Sequence, residues 1–233
     1  MVAMLSRCLR RCALLMAAVL MAGCSRVIIG TTQAAEAGEK PPVPIAQLLI
    51  EPNRFPPQYR ASVLDDAAVD RALQDIDGVP TGSAVTPIDC TPPVMWHGEA
   101  AAVEGINILD SASASRLIVV VTRPASSLAD RLDQLRGCPT FDVGQGEDAA
   151  TVNVTVLPAP PVDAEDTYAV EQTVASPESE RTSLTFAAQV GDSRVSVTWL
   201  QDSAVDEADT SSLDTSSLDA VFRDAVVKLR RGR

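Results

Sequence analysis

The chain has 233 residues, of which 46% are hydrophobic, 21% are charged and 3% are aromatic. This composition is typical of a folded domain with a mainly aliphatic core. The formal net charge of −12, from 19 basic and 31 acidic residues, argues against a nucleic-acid partner, which would need a basic surface. His97 is the only histidine, and this excludes metal sites built from several imidazoles.

The first 23 residues have the pattern of a lipoprotein signal peptide. Three arginines precede an apolar run over residues 13–22, which is too short to span a hydrocarbon core of about 30 Å. The run ends in Ala22-Gly23-Cys24, which resembles the bacterial lipobox, where the cysteine is acylated and becomes the mature N-terminus. The alternative is a plain secretory signal followed by a fortuitous cysteine.

Residues 24–44 are predicted to be the lipidated Cys24 and a flexible tether that closes in Pro41-Pro42-Val43-Pro44. Twenty such residues span at most about 66 Å when extended and about 25 Å as a coil. Two or three acyl chains would bind the lipid bilayer stably. We therefore expect a protein anchored to the cell membrane on its extracytoplasmic side, with a folded domain over residues 45–231.

The first half of that domain contains two helix patterns on either side of a strand pattern. Residues 67–77 place apolar side chains three and four positions apart, and Gly78 then ends the predicted helix. Residues 116–122 form a continuous apolar run typical of a buried strand. Residues 126–136 predict a second helix, because Ser127 and Asp130 have capping-box spacing.

Cys90 and Cys138 are predicted to form a structural disulfide. Two other cysteines lie in the leader and Cys24 is assigned to lipid, so an even pair remains in an oxidising compartment. The bridge would contribute about 4 kcal/mol in the chain-entropy model, which is itself disputed. Two buried free thiols or a redox pair are the alternatives, although a redox pair usually has Cys-x-x-Cys spacing.

The second half is rich in strand patterns. Alternating apolar residues predict strands over 152–156, 168–174, 184–190 and 195–199, and Gly191-Asp192 between the last two predicts a hairpin turn. Short connections favour antiparallel neighbours, because parallel strands need long crossovers. The one-sided alternation predicts one apolar sheet face, covered by helices.

The C-terminal part combines a polar stretch with the clearest helix pattern. Residues 209–218 repeat DTSSL in tandem and are predicted to be an exposed linker. From Ser217 onward an apolar stripe predicts a helix whose basic C-terminal end complements the helix dipole. Together these patterns predict an α+β fold: an antiparallel sheet covered by a few helices in a single globular domain with one disulfide.

The sequence shows no set of residues with the spacing of a known catalytic site. His97, with Glu99 or another carboxylate to orient it, could act in acid–base catalysis, but no nucleophile motif accompanies it. A histidine in a loop or at a strand end, beside a packed Trp96, is the preferred interpretation. The acidic run over 202–209 lacks the ligand spacing of a calcium loop, and Gly144-Gln145-Gly146 is predicted to be a turn. We predict no catalytic residue, no metal and no cofactor.

Several short motifs indicate a family. They are Leu48-Leu49-Ile50-Glu51-Pro52, Arg54-Phe55-Pro56, Asp77-Gly78-Val79-Pro80, Pro87-Ile88-Asp89-Cys90 and the helix before Cys138. With the lipobox, they resemble mycobacterial cell-envelope lipoproteins of unknown function, whose globular part is similar to the extracellular sensor domain of the PknH serine/threonine kinase. The resemblance covers about residues 45–231 and implies a sheet-plus-helices domain with a ligand-binding cleft. That sensor domain carries two disulfides, whereas this chain is expected to form one.

These patterns predict a non-catalytic lipoprotein that binds an unknown envelope ligand or protein partner. The alternative is a lipid or glycolipid carrier with an apolar cavity between sheet and helices. A hydrolase that uses His97 is the third and least favoured interpretation.

Overall fold

A nine-stranded antiparallel sheet organises the computed structural model, which describes residues 42–93, 98–109, 115–204 and 213–232. Residues Val43–Arg233 form a single unit. The strands are β1 Tyr59–Val63, β2 Val85–Thr86, β3 Ala100–Asn107, β4 Arg116–Thr122, β5 Thr140–Val143, β6 Ala150–Leu157, β7 Asp166–Ala175, β8 Ser179–Val190 and β9 Ser193–Ala204. Their spatial order is β1-β3-β4-β9-β8-β7-β6-β5-β2.

Four α-helices accompany the sheet in the described part of the chain, so the predicted α+β class holds, with the sheet dominant. They are α1 Ile45–Leu48, α2 Asp66–Asp77, α3 Leu128–Gly137 and α4 Thr215–Arg231. Short 3₁₀ helices cover Pro52–Arg54, Ile88–Cys90 and Gly146–Asp148. The predicted capping box of α3 is confirmed, because Ser127 and Asp130 each accept a hydrogen bond from the other's backbone N–H.

The five strands from β5 to β9 form the predicted antiparallel meander. The β8–β9 hairpin closes through Gly191-Asp192, with Val190 paired to Ser193 and Gly191 at a φ of 58°. Strand β9 also pairs with β4, for example Val197 with Val119, and this joins the meander to β3 and β1.

One face of the sheet, which we call the first face, is covered by α1 and α4. The apolar stripe of α4 is buried there, and Phe222 contacts Phe186 edge-on at 5.6 Å between ring centroids. The side chains beneath come from alternate positions of β4 and β9, such as Val119 and Val197. This face contains the largest apolar cluster of the described residues.

The opposite side, the second face, is also covered by helices, so the prediction of one covered face was wrong. Helix α2 packs Val69 and Ala72 against Ile118 and Val120 of β4. Helix α3 packs over β5, β6 and β7. Strand β4 is buried on both sides because its run is apolar at odd and even positions alike.

The second DTSSL copy, residues 214–218, is not the exposed linker that the sequence predicted. Asp214 caps α4 by accepting a hydrogen bond from the Ser217 N–H at 3.0 Å, and Ser217 is buried. Gln58 donates to the Ser217 hydroxyl at 2.8 Å, and the Tyr59 hydroxyl donates to Asp214 at 3.2 Å. Burial alone would raise the pKa of Asp214, but its hydrogen bonds, first from Ser217, hold that pKa below the usual value. Residues 205–212 lie outside the described part.

The expected disulfide is present between Cys90 and Cys138, with a sulfur–sulfur distance of 2.08 Å. It joins the 3₁₀ helix that follows β2 to the end of α3. Both cysteines are buried. The bridge therefore ties the β2 edge of the sheet to the helix that covers it.

Candidate ligand-binding groove

An open cavity of about 500 Å³ lies beside α2 on the second face. We call it the α2 groove. Arg71 and Asp75 of α2 form one rim, while Glu104, Arg116 and Arg181 of the sheet form the floor. The far wall consists of backbone and side chains from residues 143–150 and from the β7–β8 turn, and it includes Asp148.

An ion-pair network occupies the floor of the α2 groove. Arg116 Nη1 lies 2.9 Å from Asp75 Oδ2 and 3.1 Å from Glu104 Oε1. Arg181 Nη1 lies 3.2 Å from the other Asp75 oxygen, Oδ1. Asp75 therefore bridges two arginines with its two carboxylate oxygens.

The network is only partly shielded from water. Its four side chains retain between 18% and 31% of their full exposure. Burial alone would lower the pKa of Arg116, but the negative charges of Asp75 and Glu104 outweigh it and hold that pKa above its usual value. Arg116 therefore stays charged at neutral pH, while the atoms of the network remain accessible from solvent.

The fold assembles the network from distant parts of the chain. Arg116 begins β4 and Arg181 lies on β8, and these strands are separated by β9. Two strand spacings correspond to about 10 Å, so no direct contact between the two arginines is expected. Asp75 reaches both because α2 crosses the sheet above that gap.

Gly78 determines how closely the end of α2 approaches the sheet. Its φ of 69° is left-handed, and an added Cβ would lie 2.6 Å from Gln172 Nε2 and from Val174 Cγ2. This close approach allows Gln172 Nε2 to donate a hydrogen bond to the Asp77 carbonyl at 2.9 Å. The predicted glycine stop of this helix is thus also a packing contact with β7.

A second polar cluster holds α2 against α3, and we call it the helix junction. Arg131 Nη2 of α3 donates to Asp77 Oδ1 at 3.0 Å, and Arg194 Nη2 of β9 donates to the Ser126 carbonyl at 2.9 Å. Burial raises the pKa of Asp77, and the charge of Arg131 opposes that rise without cancelling it. Burial also raises the pKa of Tyr168 in the same cluster.

The far wall of the groove is backed by the disulfide region. Val143 pairs with Val85 of β2, and the Gly144 N–H donates to the Ala84 carbonyl at 2.9 Å. The predicted turn is confirmed here, since Gly144 has a φ of 93° and a 3₁₀ turn follows it. Gln134 of α3 donates to two carbonyls on either side of Cys90 and so fixes the same region.

The residues singled out from the sequence lie away from this groove. Cys24 and His97 fall outside the described residues, as does most of the acidic run over 202–209. Cys90 and Cys138 stand behind the far wall and do not line the cavity. Among the residues that are described, no three His, Cys, Asp or Glu side chains converge as a metal site would require. The helices of this described part also do not combine the length and the hydropathy that a membrane-spanning helix needs.

Sequence reasoning missed the charged residues of the groove because they carry no local signal. Asp75 is one of several carboxylates on the polar side of an amphipathic helix, and Arg116 precedes an apolar run. Glu104 lies in β3, a strand of mostly small residues that the periodicity did not reveal. Their importance arises only from their meeting in space.

The fold and groove define an α+β domain with an antiparallel sheet and an open, charged cavity. Residues 45–230 match the model of DUF5642, a domain of unknown function, and the chain belongs to this family. No curated protein matches the chain. A crystal structure of an uncharacterised Mycobacterium smegmatis protein, the Rv0999 ortholog, is similar in fold, with a TM-score of 0.51 and 18% identity. That similarity covers 82% of this chain and 98% of the other.

Proposed function

We propose that this protein is a lipid-anchored, extracytoplasmic lipoprotein that acts as a non-catalytic binding module of the cell envelope. Its binding site is the α2 groove, and this groove is the observation that carries the proposal. A cavity of about 500 Å³ falls within the range of small-molecule sites, roughly 300–1,000 Å³. Its accessible ion pairs supply the few oriented polar groups that such sites use for specificity.

The proposed location is supported by three independent features. The leader has lipobox anatomy ending at Cys24. The disulfide between Cys90 and Cys138 fits an oxidising compartment. The family match begins at residue 45, directly after the proposed tether. An anchored domain on a tether of about twenty residues would sample the space close to the membrane surface.

The proposal also includes a relationship with mycobacterial envelope lipoproteins and the PknH-type sensor domain. It is supported by the motifs around Arg54-Phe55-Pro56 and Asp77-Gly78-Val79-Pro80, and by the M. smegmatis origin of the fold neighbour. Recognition of a ligand or partner by the domain over residues 45–231 is the shared role that we propose.

A lipid carrier is the weaker candidate. An acyl chain placed along the α2 groove would remove water from Asp75, Glu104 and the two arginines without offering them a partner. Burying charges in this way is costly, because ions lose hydration that an alkane cannot replace. The lining of this groove therefore favours a polar ligand.

The anchor is tested with Cys24→Ser in the full-length chain, expressed in an actinobacterial host. We expect the variant to leave the detergent-soluble membrane fraction, because the acylated thiol is lost. Cys12→Ser is the matched control, since it removes a cysteine of the leader that the lipobox does not use, and it should stay in the membrane fraction. Retention of Cys24→Ser in the membrane would contradict lipidation at this position.

The binding role is tested by native mass spectrometry of the full-length protein extracted in detergent. We expect a small polar molecule that is lost when Arg181 is replaced by glutamine. A bound acyl lipid that survives this substitution would instead favour the carrier. A bare polypeptide from every growth condition would count against a small-molecule site and direct the search to protein partners.

A further inference from the structure

Positive and negative side chains alternate in the α2 groove, so a ligand that binds there must provide partners for charges of both signs. Asp75 lies between Arg116 and Arg181, and Arg116 also contacts Glu104. Ion pairs that remain accessible to water contribute little to stability, so a ligand can exchange places with one partner at small cost. The partner that it displaces, however, must find a new counter-charge.

A ligand of one sign fails this requirement. An anion that took the place of Asp75 on Arg116 and Arg181 would leave the Asp75 carboxylate unpaired in a partly desolvated site. A cation that took the place of the arginines on Asp75 would remove one carboxylate contact from each guanidinium group and add a positive charge beside them. Leaving a shielded charge without its partner costs more than the original pair contributed.

A ligand that carries both a positive and a negative charge can provide a counter-charge for every group that it displaces. Its carboxylate can accept from Arg116 and Arg181, whose guanidinium forks suit a carboxylate, while its ammonium donates to Asp75 or Glu104. Opposite charges also stand on opposite walls, with Arg71 on the α2 rim and Asp148 on the far wall. Electrostatic complementarity of this kind selects the orientation of a dipolar ligand.

The remaining lining restricts the chemistry further. No aromatic side chain is present among the described residues that line the groove, so stacking of a sugar or a nucleobase is not available there. We propose that the α2 groove binds a small aliphatic zwitterion, such as a free amino acid or a short peptide with both termini. This inference rests on the proposed binding role and names its ligand class.

Three probes of nearly equal size test the inference by calorimetric titration of the full-length protein in detergent. They are trialanine, N-acetyl-trialanine, which is an anion, and trialanine amide, which is a cation. We expect trialanine to bind about tenfold more tightly than either singly charged probe, the factor for one lost charge-assisted contact. Equal binding of trialanine and one singly charged probe would overturn the inference, as would no binding of any probe.

Two substitutions should change the preference in opposite directions. Asp75→Asn removes the counter-charge for the ammonium, so N-acetyl-trialanine should equal or exceed trialanine. Arg181→Gln removes a counter-charge for the carboxylate, so trialanine amide should gain relative to trialanine. The controls Asp133→Asn and Arg136→Gln remove partners of an exposed ion pair on α3 and should keep the wild-type order. An unchanged order in both groove variants would overturn the inference.

A measurement on the unmodified sequence guards against variants that do not fold. In NMR titrations with trialanine, the largest amide shifts should fall on Asp75, Gly144 and Ser179 around the groove. Shifts confined to the first face would overturn the inference. A different co-purified ligand that depends on Arg181 would leave the proposed binding role intact while refuting the zwitterion, so the two failures are distinguishable.

Discussion

The two faces of the sheet differ in how much polar surface lies between the helices that cover them. On the first face, α4 buries Phe222, Leu218 and Leu229 completely against aliphatic strand residues. On the second face, α2 and α3 are separated by the α2 groove and the helix junction, with polar groups buried or half-buried between them. The sheet therefore carries the largest apolar cluster on its first face, and two smaller apolar clusters with polar groups between them on its second face.

The difference indicates which face contributes more to stability and which face holds the proposed binding groove. Apolar burial contributes about 25 cal/mol per Å² and has no directional requirement, so the first face, with the largest apolar cluster of the described residues, should contribute most to stability. Polar networks give little net stability, but they specify geometry and cost free energy when they are half satisfied. Substitutions on the first face should therefore change the free energy of unfolding most, and those on the second should change binding or pH dependence.

The largest effect is expected for Phe222→Ala. The side chain has no exposed area and its ring contacts Phe186, so truncation should lower the free energy of unfolding by about 3–5 kcal/mol. Urea denaturation measures the loss. Val227→Ala on the same helix, which is 44% exposed, is the control and should change stability by less than about 0.5 kcal/mol. Similar losses for both variants would refute the contrast between core and surface on α4.

An intermediate effect is expected for Gly78→Ala at the second face. The left-handed backbone disfavours any Cβ, and this Cβ would also collide with Gln172 and Val174. We expect a loss of about 1–3 kcal/mol in urea denaturation, and weaker binding in the groove because the end of α2 must shift. Gly82→Ala isolates the first cause, since Gly82 has a φ of 82° and no atom within 4 Å of an added Cβ. If Gly82→Ala costs as much as Gly78→Ala, close packing of α2 on β7 is unimportant.

The smallest effect is a pH dependence at Asp77 in the helix junction. Burial raises its folded-state pKa above the ordinary value of 3.8, so the unfolded chain releases this proton first as the pH rises. The contribution of Asp77 to stability should therefore fall with pH from about pH 4 upward, by at most about 1.4 kcal/mol per pH unit. Urea denaturation from pH 4 to pH 7 should show the stability of the wild type falling relative to Asp77→Asn.

The exposed Asp133→Asn variant controls for the removal of a carboxylate from the surface. Its stability difference from the wild type should vary less with pH than that of Asp77→Asn. A wild type that gains stability relative to Asp77→Asn as the pH rises would show that Arg131 outweighs burial. The helix junction would then stabilise the ionised carboxylate.

Much of the fold could be predicted because its signals are local. The capping box at Ser127 and Asp130, the glycine after α2 and the Gly191-Asp192 turn act within a few residues, and each is found where the sequence placed it. Strand β4 was predicted with the right bounds from its apolar run alone. Strands β1, β2, β3 and β5 were missed, because they are short or rich in small residues and gain their stability from neighbours.

The sequence by itself determined the α+β class, the antiparallel meander and the cysteine pair. The spacing of apolar residues and the turn residues are properties of short segments, and the even number of remaining cysteines is a property of composition. Only the tertiary structure decided that both faces are covered and that Asp75, Arg116 and Arg181 meet. Asp75 and Arg116 are 41 positions apart along the chain, and Arg116 and Arg181 are 65 positions apart. Their proximity follows from strand order and from the path of α2 across the sheet, which no local pattern encodes.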